Sequence, residues 1–339
     1  METLRGIAIV LVVIGHVVLE MGRTGALGTN TLLAYLTDSL MSIRMPLFTV
    51  ISGYVYALRP VKSGLEAKFM AGKARRLVLP LVSVGLITMV YADYRRDGVL
   101  FSDLGTQAFE IFVLNSSHLW FIKALLWILL LTTVLDAAKA IDRVVPWSIV
   151  LGLAVLGSFA VAVDLRHLVK FMAVGNALYI LPFFFLGLGI RRFGDAITPK
   201  PLLLVAPVLL LGGLIFQQWE MRWADGVLPA AWADRAWEPW LYASKAAVIA
   251  VGLSATTLLF VFRRPLPGIT FLGNHAYAIF LFHSICLYIG YLVTSRVAKV
   301  SDPYAVFAVM TVVGLLAPIG CTLIIQRMRW SRWFFLGLR

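Results

Sequence analysis

Charge is scarce in this chain. Asp, Glu, Lys and Arg make up 14% of its 339 residues, against roughly a quarter in a typical soluble domain. With 60% hydrophobic residues and a mean hydropathy of +0.89, an ordinary soluble globule is excluded. Cysteine is nearly missing. Cys286 and Cys321 both fall inside apolar runs, which argues against a disulfide framework or a metal site and reads them as small buried hydrophobes. Several catalytic signatures are missing too. The chain has no Gly-x-Ser-x-Gly elbow, no Walker loop, no His-Glu-x-x-His and no Cys-x-x-Cys, so serine-elbow, nucleotide-driven, zinc-peptidase and dithiol chemistry lack their usual residues. The short alternating segments of a β-barrel are not seen. No small-residue cleavage site follows the first apolar segment, which therefore reads as a span and not as a cleavable leader.

What is present is a succession of apolar runs of about 20 residues, the length that crosses a bilayer as a helix. The sequence predicts an all-α, polytopic membrane protein with ten spans, near 4–20, 42–59, 77–92, 118–136, 145–163, 171–190, 202–217, 240–262, 271–294 and 304–326. A short interfacial helix is expected over 106–117. No linker or composition shift divides the chain, so residues 1–339 form a single membrane domain.

The net charge is +13. With both termini placed in the cytoplasm, the cytoplasmic loops hold 18 basic and five acidic residues, and the outer loops 10 and 12. This is the asymmetry of the positive-inside rule. It accounts for the whole excess and leaves a nucleic-acid partner nothing to explain.

Two ionisable residues stand out in the first span, Arg5 and His16. Eleven residues apart on a helix of ~100° and ~1.5 Å per residue, they lie within ~20° of one stripe and ~16 Å apart along it. Intramembrane ionisable groups tend to face a wet cavity or a working site. The plainer alternative has Arg5 snorkelling to the interface and His16 forming a helix–helix hydrogen bond.

This pair, led in by Glu2-Thr3-Leu4-Arg5-Gly6, resembles the arginine–histidine signature of the membrane acyltransferase-3 family. Further stretches carry the resemblance in order. Met45-Pro46-Leu47-Phe48-Thr49-Val50-Ile51-Ser52-Gly53-Tyr54 is similar to a segment of the fucose 4-O-acetylase-like branch, with departures at Arg44, Thr49 and Val50. Pro46 is expected to start a helix there. Lys73-Ala74-Arg75-Arg76 is similar to the family's basic cluster. His118-Leu119-Trp120-Phe121, Pro182-Phe183-Phe184-Phe185-Leu186-Gly187 and Gly273-Asn274-His275-Ala276-Tyr277, which runs on to His283, match further family segments, with Ala276 and Phe280 as departures.

The resemblance implies an O-acyltransferase of the bacterial inner membrane. It would move an acyl group, acetyl by preference, from cytoplasmic acetyl-CoA or another acyl-CoA to a hydroxyl of an extracytoplasmic or lipid-linked glycan. No bound cofactor or metal is implied, because the acyl-CoA is a co-substrate. His16 would be the general base, or a transient acyl carrier, with Arg5 supporting the site. Lys73, Arg75 and Arg76 would hold coenzyme A phosphates, although without the other motifs ordinary positive-inside anchoring is the favoured reading of this cluster. Ser52, His118, Trp120, Tyr277 and His283 would contact substrate. Small-residue packing remains open for Ser52, interfacial anchoring for His118 and Trp120, and a hydrogen bond to a neighbouring helix for His283. Lys123, within a span, calls for a carboxylate or phosphate partner.

A secondary transporter or flippase for a glycan or lipid is the alternative from another class, with Arg5, His16, Lys123 and His283 along a path. Its inverted repeats are not seen. A non-catalytic partner of polysaccharide-assembly proteins is a third reading. The stretch 217–240 adds five of the ten tryptophans among acidic and basic residues, a composition suited to stacking a sugar or to an interfacial aromatic belt. If it forms part of an acceptor platform, substituting Trp232 and Trp237 raises the apparent KM for the acceptor. Unchanged kinetics with normal membrane insertion would count against that role.

Overall fold

A computed structural model describes residues 1–28, 31–62, 64–98, 101–114, 116–163, 168–197, 200–222, 238–261 and 264–338. Trp232 and Trp237 lie outside these residues. The described residues form helices without strands, as a chain in lipid must if every backbone polar group is to be satisfied within its own segment. In chain order the helices are α1 (Glu2–Arg23), α2 (Thr31–Leu58), α3 (Glu66–Asp97), α4 (Leu104–Ala108), α5 (Trp120–Ala137), α6 (Val144–Val163), α7 (Val174–Ile197), α8 (Lys200–Arg222), α9 (Glu238–Val261), α10 (Pro267–Asn274), α11 (Ala276–Leu292), α12 (Pro303–Ile325) and α13 (Arg329–Leu336). Among the described residues, seven helices are long and apolar enough to cross a membrane. Two shorter apolar stretches, Leu204–Trp219 and Ala246–Val261, lie on α8 and α9.

Each of the ten expected spans overlaps a helix, and seven of them fall on the helices long and apolar enough to cross, those near 42–59, 202–217 and 240–262 being the exceptions; three further details differ. Pro46 lies inside α2 and does not begin it. Neighbouring helices pack around it: the space beside Gly252 of α9 is bounded by Pro46 and Phe183. The ninth span is divided at His275, which ends α10 and precedes α11 with φ −103° and ψ 7°. The expected interfacial helix is α4 followed by a π-helical turn, Phe109–Val113. Its unpaired carbonyls meet Lys123. This wholly buried side chain donates from Nζ to the Ile111 carbonyl at 2.8 Å and to that of Leu114. Backbone oxygens thus take the place of the carboxylate expected from the sequence, since a helix end leaves its last carbonyls without intrahelical partners.

Two glycine crossings set the bundle. Gly53 of α2 lies against the Phe184 carbonyl of α7, and Gly187 of α7 lies reciprocally against the Val50 carbonyl of α2. Gly273 of α10 sits on the Glu2 carbonyl of α1, and Gly6 of α1 on that of Ile269. A Thr3–Thr270 hydroxyl contact of 2.9 Å lies beside the second crossing. In lipid, helices associate through such close packing and not through a hydrophobic drive between helices. The wholly buried Phe183, Phe184 and Phe185 fill the core beside the first crossing.

Gly187→Ala is expected to destabilise the detergent-solubilised protein by about 1–3 kcal/mol, the usual cost of overpacking. Gly152→Ala, on α6 with open space beside it, is expected to leave the thermal midpoint unchanged or raised. A thermal unfolding series on the two variants checks this.

Candidate functional site

The end of the bundle that carries Arg5 holds a cavity of about 420 Å³. The α1–α10 crossing brings Arg5 and Asn274 to its rim. The opening turns of α3 supply Lys73 and Arg76, and the start of α11 supplies Tyr277. Three cationic side chains from two helices thus face one space. Each is held locally. Arg5 Nη1 is 3.6 Å from Glu2 Oε1, Lys73 Nζ stands 5.1 Å from the Phe69 ring centroid, and the Tyr277 hydroxyl donates to the Arg76 carbonyl at 2.6 Å. Ser52 also lines the cavity, with its hydroxyl donating to the Phe48 carbonyl of its own helix at 2.9 Å. Gly53, next to it, makes the helix crossing, so the two neighbours divide packing and lining between them. Arg75 turns aside and donates from Nε to the Gly337 carbonyl at 3.3 Å.

The histidines gather farther along α1. The His16 and His283 rings stack with centroids 4.8 Å apart and an interplanar angle of 6°. His118 meets His283 edge-on at 5.2 Å. His283 is wholly buried, whereas His16 and His118 are half-buried. Hydrogen bonds orient two of the rings. His283 Nδ1 lies 2.8 Å from the Phe280 carbonyl and 3.0 Å from that of Ile279, so Nδ1 carries the proton and Nε2 keeps its lone pair. His118 Nε2 lies 3.2 Å from the Leu281 carbonyl, which assigns that nitrogen as the donor by the same reasoning. The sequence-based alternative of a hydrogen bond from His283 to another helix gives way to bonds within α11 and a stack on α1.

Arg5 and His16 therefore share a helix but not a chamber. Among the described residues, none of the three histidines lines the cavity. Trp120, at the start of α5, packs edge-on to Phe121 at 6.0 Å and is not part of the lining.

Three features of the site were not singled out from the sequence. Arg44 of α2 lays its guanidinium against Gly15, where a side chain would collide with it. It had stood out in the sequence only as a departure from the family segment. Tyr56 lines the cavity, and its hydroxyl donates to Asp136 Oδ2 at 2.6 Å. Asp136 in turn accepts from Arg192 through both oxygens, at 2.8 and 2.9 Å, so one part-buried ion pair ties α2, α5 and α7 at this end. Finally, α13 packs on α3, and Leu336 and Leu338 close one wall of the cavity. Gly337, at φ 61°, passes so close to the Arg75 and Arg76 backbone that a side chain would collide there. The alternation of Arg329, Trp330, Arg332 and Trp333 after the last span is the signal that could have shown an interfacial helix.

The architecture defines the class: a multi-pass membrane protein that holds a cation-lined cavity and a histidine cluster within one helix bundle. Residues 1–326 match the profile of the acyltransferase domain family called acyltransferase-3, and the chain belongs to that family. No curated protein and no solved structure gave a match to the chain. Membership supports acyltransferase activity in the membrane domain itself. Helix α13 lies beyond the matched residues, yet it completes the cavity.

Removing the acceptor of a charge-assisted hydrogen bond costs about 1–3 kcal/mol, and Arg192 keeps the Ile141 carbonyl at 3.2 Å and Asp142 at 3.9 Å as partners. Asp136→Ala is therefore expected to lower stability on that scale. Pairing it with Arg192→Leu is expected to recover a large part of the loss in a double-mutant cycle of thermal unfolding.

Proposed function

We propose that this protein transfers an acyl group, acetyl by preference, from acyl-CoA to a hydroxyl of an extracytoplasmic or lipid-linked glycan at the bacterial inner membrane. The observation that carries this reading is the arrangement along α1. A cavity lined by Arg5, Lys73 and Arg76 lies at one end, and the stacked His16–His283 pair lies about three turns away. With the N-terminus in the cytoplasm, as the loop charges favour, the cavity opens to the cytoplasmic pool of acyl-CoA and the histidines lie toward the outer half of the bilayer.

In this mechanism Arg5, Lys73 and Arg76 bind the phosphates of coenzyme A through charge-assisted contacts. Arg75, whose Nε is turned to Gly337, is left with the weaker role of supporting the cluster. Ser52, Asn274 and Tyr277 border the pantetheine arm. His16 takes the proton from the acceptor hydroxyl, and the oxygen attacks the thioester carbonyl. Arg44, which lies against Gly15 one residue before His16, stabilises the oxyanion of the tetrahedral intermediate. The C–S bond then breaks, and the proton passes from His16 to the departing thiolate. The products are the glycan ester and free coenzyme A. His283 holds the His16 ring in plane by stacking, and His118 borders the acceptor.

Membranes mixed with acetyl-CoA are expected to release free thiol in step with acyl transfer to membrane glycan, read as a mass shift of one acyl group. His16→Ala is expected to cut the rate by about 10²–10⁴-fold, the scale of general acid–base catalysis. Full glycan modification by that variant would overturn the role of His16. Membranes that release no thiol would favour the transporter reading.

Arg76→Ala is expected to raise KM for acyl-CoA about tenfold, in line with the loss of a charge-assisted contact. It should leave the reaction of a truncated N-acetylcysteamine thioester, which has no phosphates, nearly unchanged. Equal losses with both donors would remove the phosphate-binding role.

A further inference from the structure

The cavity does not run through to the histidines. Three phenylalanine rings from three helices line it: Phe48 of α2, Phe121 of α5 and Phe280 of α11. Phe121 touches both of the others, with ring centroids 6.2 Å from Phe48 and 5.7 Å from Phe280. On its other side Phe280 meets the histidines, 6.1 Å from the His118 ring and 6.2 Å from that of His283. Phe121 and Phe280 are each only 7% exposed. Phe280 therefore borders the cavity and also meets the imidazoles, with Phe121 and Phe48 packed in series beside it.

We propose that Phe48, Phe121 and Phe280 form a selective gate through which only short, uncharged acyl groups pass from the cavity to His16. The inference rests on the acyltransferase reading above and adds the donor specificity of the same site.

Three considerations support it. First, the phosphates of coenzyme A are anionic and stay with Arg5, Lys73 and Arg76, so the end that crosses the layer is the acyl thioester. Second, the layer is built of rings on separate helices. It opens by swinging aromatic side chains about χ1 and χ2, without separating the glycine-locked crossings. The passage made in this way is narrow, and each added methylene must displace more of a close-packed wall. Third, the layer offers no polar atom to a passing group. A carboxylate at the end of the acyl chain would lose its hydration there with nothing in return, so a succinyl group is rejected where an acetyl group is admitted.

The layer also has a chemical use. While the rings are closed, the thioester in the cavity is kept apart from the half-buried His16, which limits its loss to hydrolysis when no acceptor is present.

The test uses the full-length protein in native membranes that carry the endogenous acceptor. Labelled acetyl-, butyryl- and succinyl-CoA serve as donors, and label retained on membrane glycan is measured. Wild type is expected to prefer acetyl over butyryl and to use succinyl least. Phe121→Ala is expected to raise the butyryl-to-acetyl ratio about tenfold, the scale on which apolar pockets discriminate one or two methylenes. Phe121→Leu and Phe280→Leu, smaller changes that keep the core filled, are expected to shift the ratio in the same direction if the alanine variant does not fold. Phe48→Trp narrows the passage and is expected to lower transfer from every donor, butyryl most.

Folded variants whose ratio stays within about twofold of wild type would overturn the gate while leaving the acyltransferase reading intact. So would a wild type that accepts succinyl-CoA as readily as acetyl-CoA. A wild type that transfers label from none of the three donors would overturn the acyltransferase reading, and the gate with it.

Discussion

Within a bilayer, apolar side chains gain little by leaving lipid for protein, so a bundle is held by how closely its backbones approach. Here that constraint is met at two crossings, Gly53 with Gly187 and Gly6 with Gly273. Everything that defines the site hangs from them. The first aligns α2 with α7 and so presents Ser52, Val55 and Tyr56 to the cavity, with the Asp136–Arg192 pair behind Tyr56. The second brings α10 onto α1 beside Arg5 and sends α11 away at an angle set by His275. That direction carries Tyr277 to the cavity, Phe280 to the aromatic layer and His283 to the stack on His16. A residue other than glycine at these contacts would separate the helices, and the groups on either side would no longer converge.

The second requirement is that polar groups in this apolar body find partners within the protein. Beyond the histidines, the buried Glu20 carboxylate accepts from Arg95 at 2.8 Å, and the Arg95 guanidinium lies over the Tyr91 and Tyr288 rings. Lys123 caps the carbonyls of the turn that precedes α5. His283 bonds to its own helix. The structure therefore keeps its structural charges neutralised or capped, while Arg5, Lys73 and Arg76 line a space large enough for a ligand. This contrast, together with family membership, is why the cavity and the histidines are read as working parts and the Glu20–Arg95 and Asp136–Arg192 pairs as struts.

Much of the fold was legible in the chain because hydropathy reports directly on helices in lipid. The run that opens at Leu4 and the one that closes at Ile325 needed no tertiary information. Less regular features were not legible. Pro46 reads locally as a helix start, yet lies within α2, where α7 and α9 pack around it. The break at His275 is hidden in a continuous apolar run, since hydropathy is blind to φ and ψ. Lys123 calls for a counter-charge in sequence terms, but the turn that precedes α5 supplies carbonyls instead. Trp232 and Trp237 remain a compositional suggestion of a sugar platform.

By itself the sequence determined the all-helical membrane class, the basic bias of one set of loops, and the placing of Arg5 and His16 on one stripe about three turns apart. Each of these follows from local composition or from the helical repeat alone. The tertiary structure decided which groups meet. It set His283 and His118 near His16, Arg44 against Gly15, Lys73 and Arg76 in one cavity with Arg5, and Phe280 between that cavity's lining and the histidine rings. Those meetings join residues as far apart as His16 and His283, and they depend on crossing points where a single missing Cβ sets the distance between helices. No periodicity within one segment encodes that.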